Sequence, residues 1–338
     1  MLSRGLKWLA GGLALAAGVA ALAGWLAWRD YQAFLSTPLR LPAEGRVLVV
    51  EPGMSGISMV TRLADMGVTR NGWTWRLLLR LEPAIIQAGE YRLETGMKPA
   101  DLLGRLTRGD VIRYRFTIVE GWTVRQLLDA LAADPVLGAG VPPDAATTVL
   151  PTLVDGHVNP EGWFLPETYS FVRGDSYREL LLRSHRDMRA ALEQAWAARH
   201  EDHPVTSPYE LLILASIIEK ETAVEAERGD VSGVFVRRLR RGMRLQTDPT
   251  VIYGIGEAYD GDIRRRDLVT DTPYNTYTRH GLPPTPIALP GRASLMAAAQ
   301  PRPGDALFFV ADGAGGHTFS ATLEEHEKAV KKLLERTP

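Results

Sequence analysis

Glu219 is the residue best placed for chemistry, because it directly follows a run of apolar and small residues, 211–218. At 3.6 residues per turn its side chain lies beside those of the preceding turn, whereas the side chain of Glu221 points to nearly the opposite side. A carboxyl in apolar surroundings holds its proton more tightly than one in water, as a general acid must near neutral pH. The alternative is a structural glutamate that forms an ion pair. The candidate bases are Lys220, Arg228 and Arg237.

A helix with a well-defined start must position this carboxyl. Ser207 is a strong N-cap candidate, Pro208 suits the first helical position, and Glu210 completes a capping box. Because residues 211–218 are apolar on nearly all sides, the helix is predicted to be buried in a domain core.

An apolar segment near the N-terminus, Trp8–Trp28, contains no charged side chain. It is long enough to cross a bilayer, and it carries tryptophan at both ends, as interfacial aromatic belts do. Arg4 and Lys7 precede it, which favours a cytoplasmic N-terminus. The alternative is a cleaved signal peptide, but the run is longer than a usual signal core and is not followed by a small-residue cleavage site. The sequence therefore predicts a single-pass protein of the cell inner membrane, with the chain from about residue 30 onward in the periplasm.

The predicted fold is α+β. The predicted parts are a cytoplasmic tip and transmembrane anchor over 1–29, a stalk over 30–45, a small α/β module over 46–114 and a larger catalytic domain over 115–332. In the module, a strand at 46–50 leads through Glu, Gly and Ser into a helix, and similar patterns recur near residues 89 and 116. This pattern resembles a LysM-like module, a glycan-binding unit of two strands and two helices. A spacer made of the same elements is the alternative.

The larger domain is predicted to contain helices at 178–198 and 208–223, loops over 241–292, a buried strand at 306–310 and an amphipathic helix at 323–334. The chain has 39 basic and 40 acidic side chains, so no basic excess points to nucleic acid. The absence of cysteine excludes thiol chemistry and cysteine-ligated metal sites.

The segment Leu214–Thr222, LASIIEKET, closely resembles the signature helix of the endolytic murein transglycosylases, the YceG-like family. Further blocks match the same family in the same order over most of residues 46–330. They are EGWFLPETY (161–169), VFVRRL (234–239), GMRLQTDPTVIYG (242–254), YNTY (274–277), GLPPTPI (281–287), FVADG (309–313) and GHTF (316–319).

The resemblance implies a membrane-anchored lytic transglycosylase that acts on peptidoglycan glycan strands, with Glu219 as its acid/base. Glu219 would protonate the oxygen between N-acetylmuramic acid and N-acetylglucosamine and then accept the proton of the muramyl C6 hydroxyl. That hydroxyl attacks C1 and leaves a 1,6-anhydro end. Because the nucleophile is already tethered, one carboxyl suffices and no metal or organic cofactor is required. Penicillin-binding-protein synthases are the partners that the resemblance suggests.

The resemblance also implies that the loops 246–253 and 274–285 line the substrate. Gln246 and Asn275 could bond acetamido groups, although such side chains often only tie turns together. Aromatic side chains could stack on sugar rings, although at such positions they are as often core. The remaining predicted substrate-binding residues are Thr247, Asp248, Tyr253, Tyr274, Tyr277 and Trp163. His317 looks like a loop residue without partners for a triad or a metal site.

Two rival functions remain open. A muramidase would make the same cut with water as nucleophile and needs a second carboxylate, for which Asp248 is the best candidate. A non-catalytic scaffold would bind glycan through the LysM-like module and would not need Glu219.

Overall fold

The chain begins with a long apolar helix, α1 (Arg4–Ser36), in the computed structural model, which describes residues 4–70, 72–154 and 159–335. Within α1, the segment Gly11–Ser36 is long and apolar enough to cross a membrane, and the most apolar part of it is not buried against the protein. This helix is where the sequence predicts the anchor. The predicted cytoplasmic tip lies partly outside the described residues.

The chain divides into two compact units. The first contains the residues up to Tyr114 together with Val172–Gly174, and the second contains the rest of the chain from Arg115 onward. Both units mix helices with short strands, so the predicted α+β class is confirmed.

The first unit packs helices against one pair of strands. Its elements after α1 are β1 (Arg46–Val50), α2 (Gly56–Asp65), α3 (Trp73–Leu81), β2 (Gly89–Leu93) and α4 (Pro99–Arg108). β1 pairs with β2 in antiparallel register, with Val50 opposite Gly89. The predicted Ser55 cap begins α2, since its hydroxyl accepts a hydrogen bond of 3.1 Å from the backbone N–H of Ser58. The likeness of this unit to a LysM module stays a prediction.

Helix α1 continues through the first part of the predicted stalk and joins the core of the first unit. Tyr31 and Leu39 are buried in that core, and Phe34 packs against it. The proline-containing segment after Ser36 has no regular structure up to residue 45, because proline cannot donate the backbone hydrogen bond of a helix interior.

The second unit is built mainly from helices. Its helices are α5 (Val124–Ala133), α6 (Ala145–Thr148), α7 (Tyr177–Ala197), α8 (Pro208–Glu221), α9 (Arg228–Arg240), α10 (Asp248–Ile255), α11 (Arg265–Val269), α12 (Arg292–Ala299) and α13 (Leu323–Leu334). Short 3₁₀ helices cover Gly138–Gly140, Leu150–Thr152, Glu225–Glu227 and Gly256–Ala258. The remaining strands form two pairs. β3 (Arg113–Thr117) pairs with β4 (Thr168–Val172), and β5 (Phe308–Ala311) pairs with β6 (His317–Ser320) in antiparallel register.

Helix α8 lies in the centre of the second unit. Every residue from Leu211 to Ile218 is buried, and α7, α9, α10 and α12 pack around it. The prediction of a buried helix is therefore confirmed. The loop-like stretches predicted over 241–292 also contain two short helices, α10 and α11. Pro249 stands in the first turn of α10, where its missing N–H removes no helical hydrogen bond.

Candidate active site

The start of α8 is set by Ser207, whose hydroxyl accepts a hydrogen bond of 3.2 Å from the backbone N–H of Glu210. The carboxylate of Glu210 accepts from the backbone N–H of Thr206 at 2.6 Å rather than from Ser207. The predicted cap is thus confirmed, whereas the reciprocal bond of the capping box reaches one residue further back. The far end of the same helix carries Glu219 and Glu221.

Glu219 lies in a cluster of charged and backbone partners. Its Oε2 accepts a hydrogen bond of 2.9 Å from the backbone N–H of Gly291, and its side chain is only 6% exposed. The guanidinium of Arg228 lies 3.9 Å from Glu219 Oε1 and 3.7 Å from Glu120 Oε2. One arginine therefore lies near two carboxylates. An ion pair of this kind is the structural alternative to a catalytic role for Glu219.

The same cluster brings a loop, 120–122, against the end of α8. Lys220 donates a hydrogen bond of 3.2 Å to the Gly121 carbonyl. A side chain at position 291 would collide with the Glu120 carboxylate. Burial, and next the negative charge of Glu219, raise the pKa of Glu120, while Arg228 opposes them. The contacts of Glu219 thus hold together three segments that are distant in sequence.

Glu221 has the environment that the sequence predicts for Glu219. Burial raises the pKa of its carboxyl to about 7, although the residue keeps some contact with solvent. The hydroxyl of Thr247 donates a hydrogen bond to the Glu221 carboxylate. This bond lowers the pKa, the negative charge of Asp248 raises it, and His317 and Arg238 lower it more weakly. A carboxyl that is half protonated near neutral pH can both give and take a proton.

The loop before α10 approaches Glu221 in a strained conformation. Gln246 has a φ of 51°, and it alone among the non-glycine residues of the described chain has a positive φ. Its backbone N–H donates to the Thr276 carbonyl at 3.2 Å. The buried guanidinium of Arg238 donates to the Leu245 carbonyl at 2.8 Å. Strain of this kind persists only where surrounding contacts enforce it, and it is concentrated at functional sites.

Asp248 and Tyr277 form a second polar contact beside Thr247. The Tyr277 hydroxyl donates a hydrogen bond of 2.6 Å to Asp248 Oδ1, and burial together with that bond raises the pKa of Tyr277. The Thr247 backbone N–H donates to the Thr276 hydroxyl at 3.1 Å. Four predicted substrate-binding residues are therefore joined into one network around Glu221. They are Gln246, Thr247, Asp248 and Tyr277.

Tyr253 and Tyr274 form a separate pair with Glu161. Their rings meet edge to face at 4.9 Å, and the Tyr253 hydroxyl donates to Glu161 Oε2 at 3.1 Å. Glu161 Oε1 accepts from the backbone N–H of Val124 at 3.0 Å, at the start of α5. Burial raises the pKa of the Glu161 carboxyl to about 7. The sequence offers no signal for this role, because Glu161 and Tyr253 are far apart along the chain.

Trp163 and Asn275 are both buried. The Trp163 side chain is 6% exposed, and its ring stacks on that of Tyr209 at 5.9 Å. The Asn275 amide nitrogen lies within hydrogen-bond distance of three backbone carbonyls, and its oxygen accepts from the Tyr277 N–H at 2.8 Å. Those carbonyls belong to Asp267, Leu268 and Thr270. Asn275 ties its loop together, as the alternative interpretation of loop amides holds.

His317 has a partner that the sequence did not reveal. Its Nδ1 lies 2.8 Å from Glu227 Oε2, and its backbone N–H donates to Glu227 Oε1 at 3.0 Å. The sequence did not indicate this contact with Glu227, because the two residues are far apart along the chain. The described ranges contain no group of three or more His, Cys, Asp or Glu side chains that could hold a metal ion.

Comparison with known proteins gives a consistent result. A sequence model of the YceG-like family matches residues 48–332. An endolytic murein transglycosylase from Bacillus subtilis is 32% identical over 265 residues, which cover 73% of this chain and 73% of that protein. One from Streptococcus pneumoniae serotype 2 is 27% identical, and the match covers 89% of this chain but 61% of that protein. The crystal structure of a putative yceG-like protein from Listeria monocytogenes aligns with a TM-score of 0.50 at 28% identity, covering 85% of this chain and 99% of that one.

Proposed function

Since this chain belongs to the YceG-like family, we propose that it is a peptidoglycan lytic transglycosylase whose acid/base is Glu221. The proposed cut is at the β-1,4 bond between N-acetylmuramic acid and N-acetylglucosamine and leaves a 1,6-anhydro end. The observation that carries the assignment is the buried carboxyl of Glu221, with a pKa of about 7, bonded to Thr247 at the strained loop. The names of the relatives, endolytic murein transglycosylases, support the substrate class and the internal position of the cut.

The geometry favours Glu221 over Glu219 for a physical reason. The Glu219 carboxylate is already engaged, because it lies near the guanidinium of Arg228 and accepts a hydrogen bond from the Gly291 N–H. Glu221 is desolvated and receives a hydrogen bond from an uncharged hydroxyl. Glu219 stays a prediction from the sequence, and the two assignments are separated below by experiment.

In the proposed mechanism one carboxyl acts twice. Protonated Glu221 gives its proton to the glycosidic oxygen as the bond to C1 breaks. Ionised Glu221 then takes the proton of the muramyl C6 hydroxyl as that oxygen bonds to C1, so the proton count balances. The Thr247 hydroxyl stabilises the ionised form between the two transfers. Asp248 is exposed and adds negative charge near the same position, which favours a cation-like transition state.

A muramidase is the second candidate, because Asp248 lies close enough to raise the pKa of Glu221 by its charge. Two interacting carboxyls could direct a water molecule to C1 in place of the C6 hydroxyl. Mass spectrometry of digested sacculi separates the two reactions. Anhydro-muramyl ends support the lytic reaction, whereas reducing ends support hydrolysis.

The matched pair Glu221→Gln and Glu219→Gln tests the residue. General acid–base catalysis contributes roughly 10²–10⁴-fold to a rate, so we expect Glu221→Gln to lose about that much activity on purified sacculi while remaining folded. Glu219→Gln should keep most of the activity. The reverse result would assign the acid to Glu219 as the sequence predicts. Full activity in both variants would exclude both carboxyls as the acid, whereas absence of cleavage by the wild type would favour the non-catalytic scaffold.

We also propose that α1 anchors the protein in the cell inner membrane, with the N-terminus in the cytoplasm and both units in the periplasm. The apolar window of α1 is not covered by the protein, which suits a helix covered by lipid. Penicillin-binding-protein synthases remain the proposed partners. Fractionation of membranes after washing with alkaline carbonate tests the anchor, since an integral helix stays in the pellet.

A further inference from the structure

The first unit is fixed to α1 very close to the expected membrane surface. Tyr31 is 4% exposed and lies in the core of the unit, and the Phe34 ring meets the Trp75 ring at 5.2 Å. Trp28, which ends the predicted anchor, is exposed and lies 5.8 Å from the Tyr31 ring. Three helical residues span only about 4.5 Å along the axis. No flexible linker therefore separates the predicted anchor from this unit.

The rise of about 4.5 Å from Trp28 to Tyr31 is smaller than the expected thickness of the headgroup layer. A bilayer has a hydrocarbon core of about 30 Å and a total thickness of about 40–45 Å, which leaves roughly 5–7 Å of headgroups on each side. If Trp28 lies at the edge of the hydrocarbon core, as interfacial tryptophans do, side chains level with Tyr31 lie inside the headgroup layer.

Both ends of helix α3 lie near α1. Its early residue Trp75 contacts Phe34, and Glu82, which follows its last residue, lies within electrostatic range of Tyr31. The last residue of α3 and the four residues that follow it, 81–85, form the segment that we term the 81–85 loop. It carries two unusually exposed aliphatic side chains, Leu81 at 57% and Ile85 at 85%.

We propose that the 81–85 loop is a second membrane contact, in which Leu81 and Ile85 enter the headgroup layer of the bilayer that α1 spans. This inference rests on the proposed membrane anchor. Exposed aliphatic side chains beside basic residues are typical of interfacial segments. Arg76 and Arg80 are exposed on α3, and Arg80 directly precedes the loop, where it can meet a lipid phosphate. Two contacts, a helix and a loop, would fix the orientation of the first unit on the membrane.

The natural absence of cysteine allows a direct test with single-cysteine probes. The variants Ile85→Cys, Leu15→Cys and Val47→Cys of the full chain are labelled with the fluorophore NBD. They are then reconstituted in vesicles of phosphatidylethanolamine and phosphatidylglycerol that contain spin-labelled lipids. Leu15 lies in the anchor and is 72% exposed, whereas Val47 is 44% exposed toward the other end of the β1–β2 pair and serves as the matched control.

We expect the Ile85 probe to be quenched by lipids labelled near the headgroup and to emit at shorter wavelength than the Val47 probe. The Leu15 probe should be quenched by lipids labelled deep in the acyl chain. Quenching at Leu15 with water-like emission at Ile85 would overturn the second contact while leaving the anchor in place. Loss of quenching at Leu15 would overturn the anchor and this inference with it.

Discussion

The pH dependence of glycan cleavage should identify the residue that acts as the general acid. If protonated Glu221 donates to the glycosidic oxygen, kcat/KM must fall as the carboxyl of the free enzyme ionises. With a pKa of about 7, the protonated fraction is about 0.9 at pH 6 and about 0.1 at pH 8, so activity should fall about tenfold across this range. A glutamate of ordinary pKa would already have lost its proton near pH 5.

The substitution Thr247→Val makes this prediction specific to Glu221. It removes the hydroxyl that donates to the Glu221 carboxylate, and losing a hydrogen bond to the charged form raises the pKa. A hydrogen bond to a charged group contributes about 1.5–3 kcal/mol, and about 1.4 kcal/mol corresponds to one pKa unit. The alkaline half-point, which is the pH at which kcat/KM has fallen to half of its maximum, should therefore move from about pH 7 to about pH 8 or higher.

The assay is release of muropeptides from purified sacculi, measured by chromatography at a series of pH values. Thr250→Val is the matched control, because Thr250 lies in the first turn of α10, next to Thr247, and its hydroxyl donates to the Thr247 carbonyl at 2.7 Å rather than to Glu221. Its half-point should stay at that of the wild type. A half-point near pH 5, or an equal shift in both variants, would refute the role assigned to Glu221.

Three further outcomes follow from the same structure. Glu221→Gln should be more stable than the wild type by about 3 kcal/mol at pH 8 but not at pH 4, measured by thermal unfolding. The folded pKa of about 7 lies above the ordinary value of 4.5, so the wild type loses stability as pH rises from 4.5 to 7. His317→Gln should move the alkaline limb to higher pH in the sacculus assay, since His317 lowers the pKa of Glu221. Gly162→Ala should lower the free energy of unfolding by about 2–3 kcal/mol in denaturant titration, because φ is +84° and the added methyl would lie 2.6 Å from Pro286.

Helix α8 was predictable because its signals are local. The Ser207 cap acts within one turn, and the apolar run that follows determines burial without reference to the rest of the chain. The β1 strand and the Ser55 cap could be predicted for the same reason. Elements such as α10, which lies in a stretch rich in glycine, proline and threonine, were missed because tertiary contacts stabilise short helices more than local propensity does.

The details of the site could not be predicted because they depend on residues far apart in sequence. The carboxylate of Glu161 meets Tyr253, and that of Glu227 meets His317, only after folding. Asn275 looked like a substrate ligand in its motif, yet three carbonyls of its own loop surround its amide. The residue types indicate which contacts are possible. They do not determine which hydrogen-bond partner each side chain finds in the folded protein.

The difference between Glu219 and Glu221 shows how the environment assigns roles to two carboxyls on one helix. Their shared apolar approach, 211–218, desolvates the end of α8 on both sides. On the Glu219 side a guanidinium and a backbone N–H take the place of the lost water. On the Glu221 side the replacement is one hydroxyl together with the unfavourable charge of Asp248. Placing a cation against Glu221, for example by Thr247→Lys, should therefore lower its pKa and abolish cleavage near pH 7 even if the helix is undisturbed.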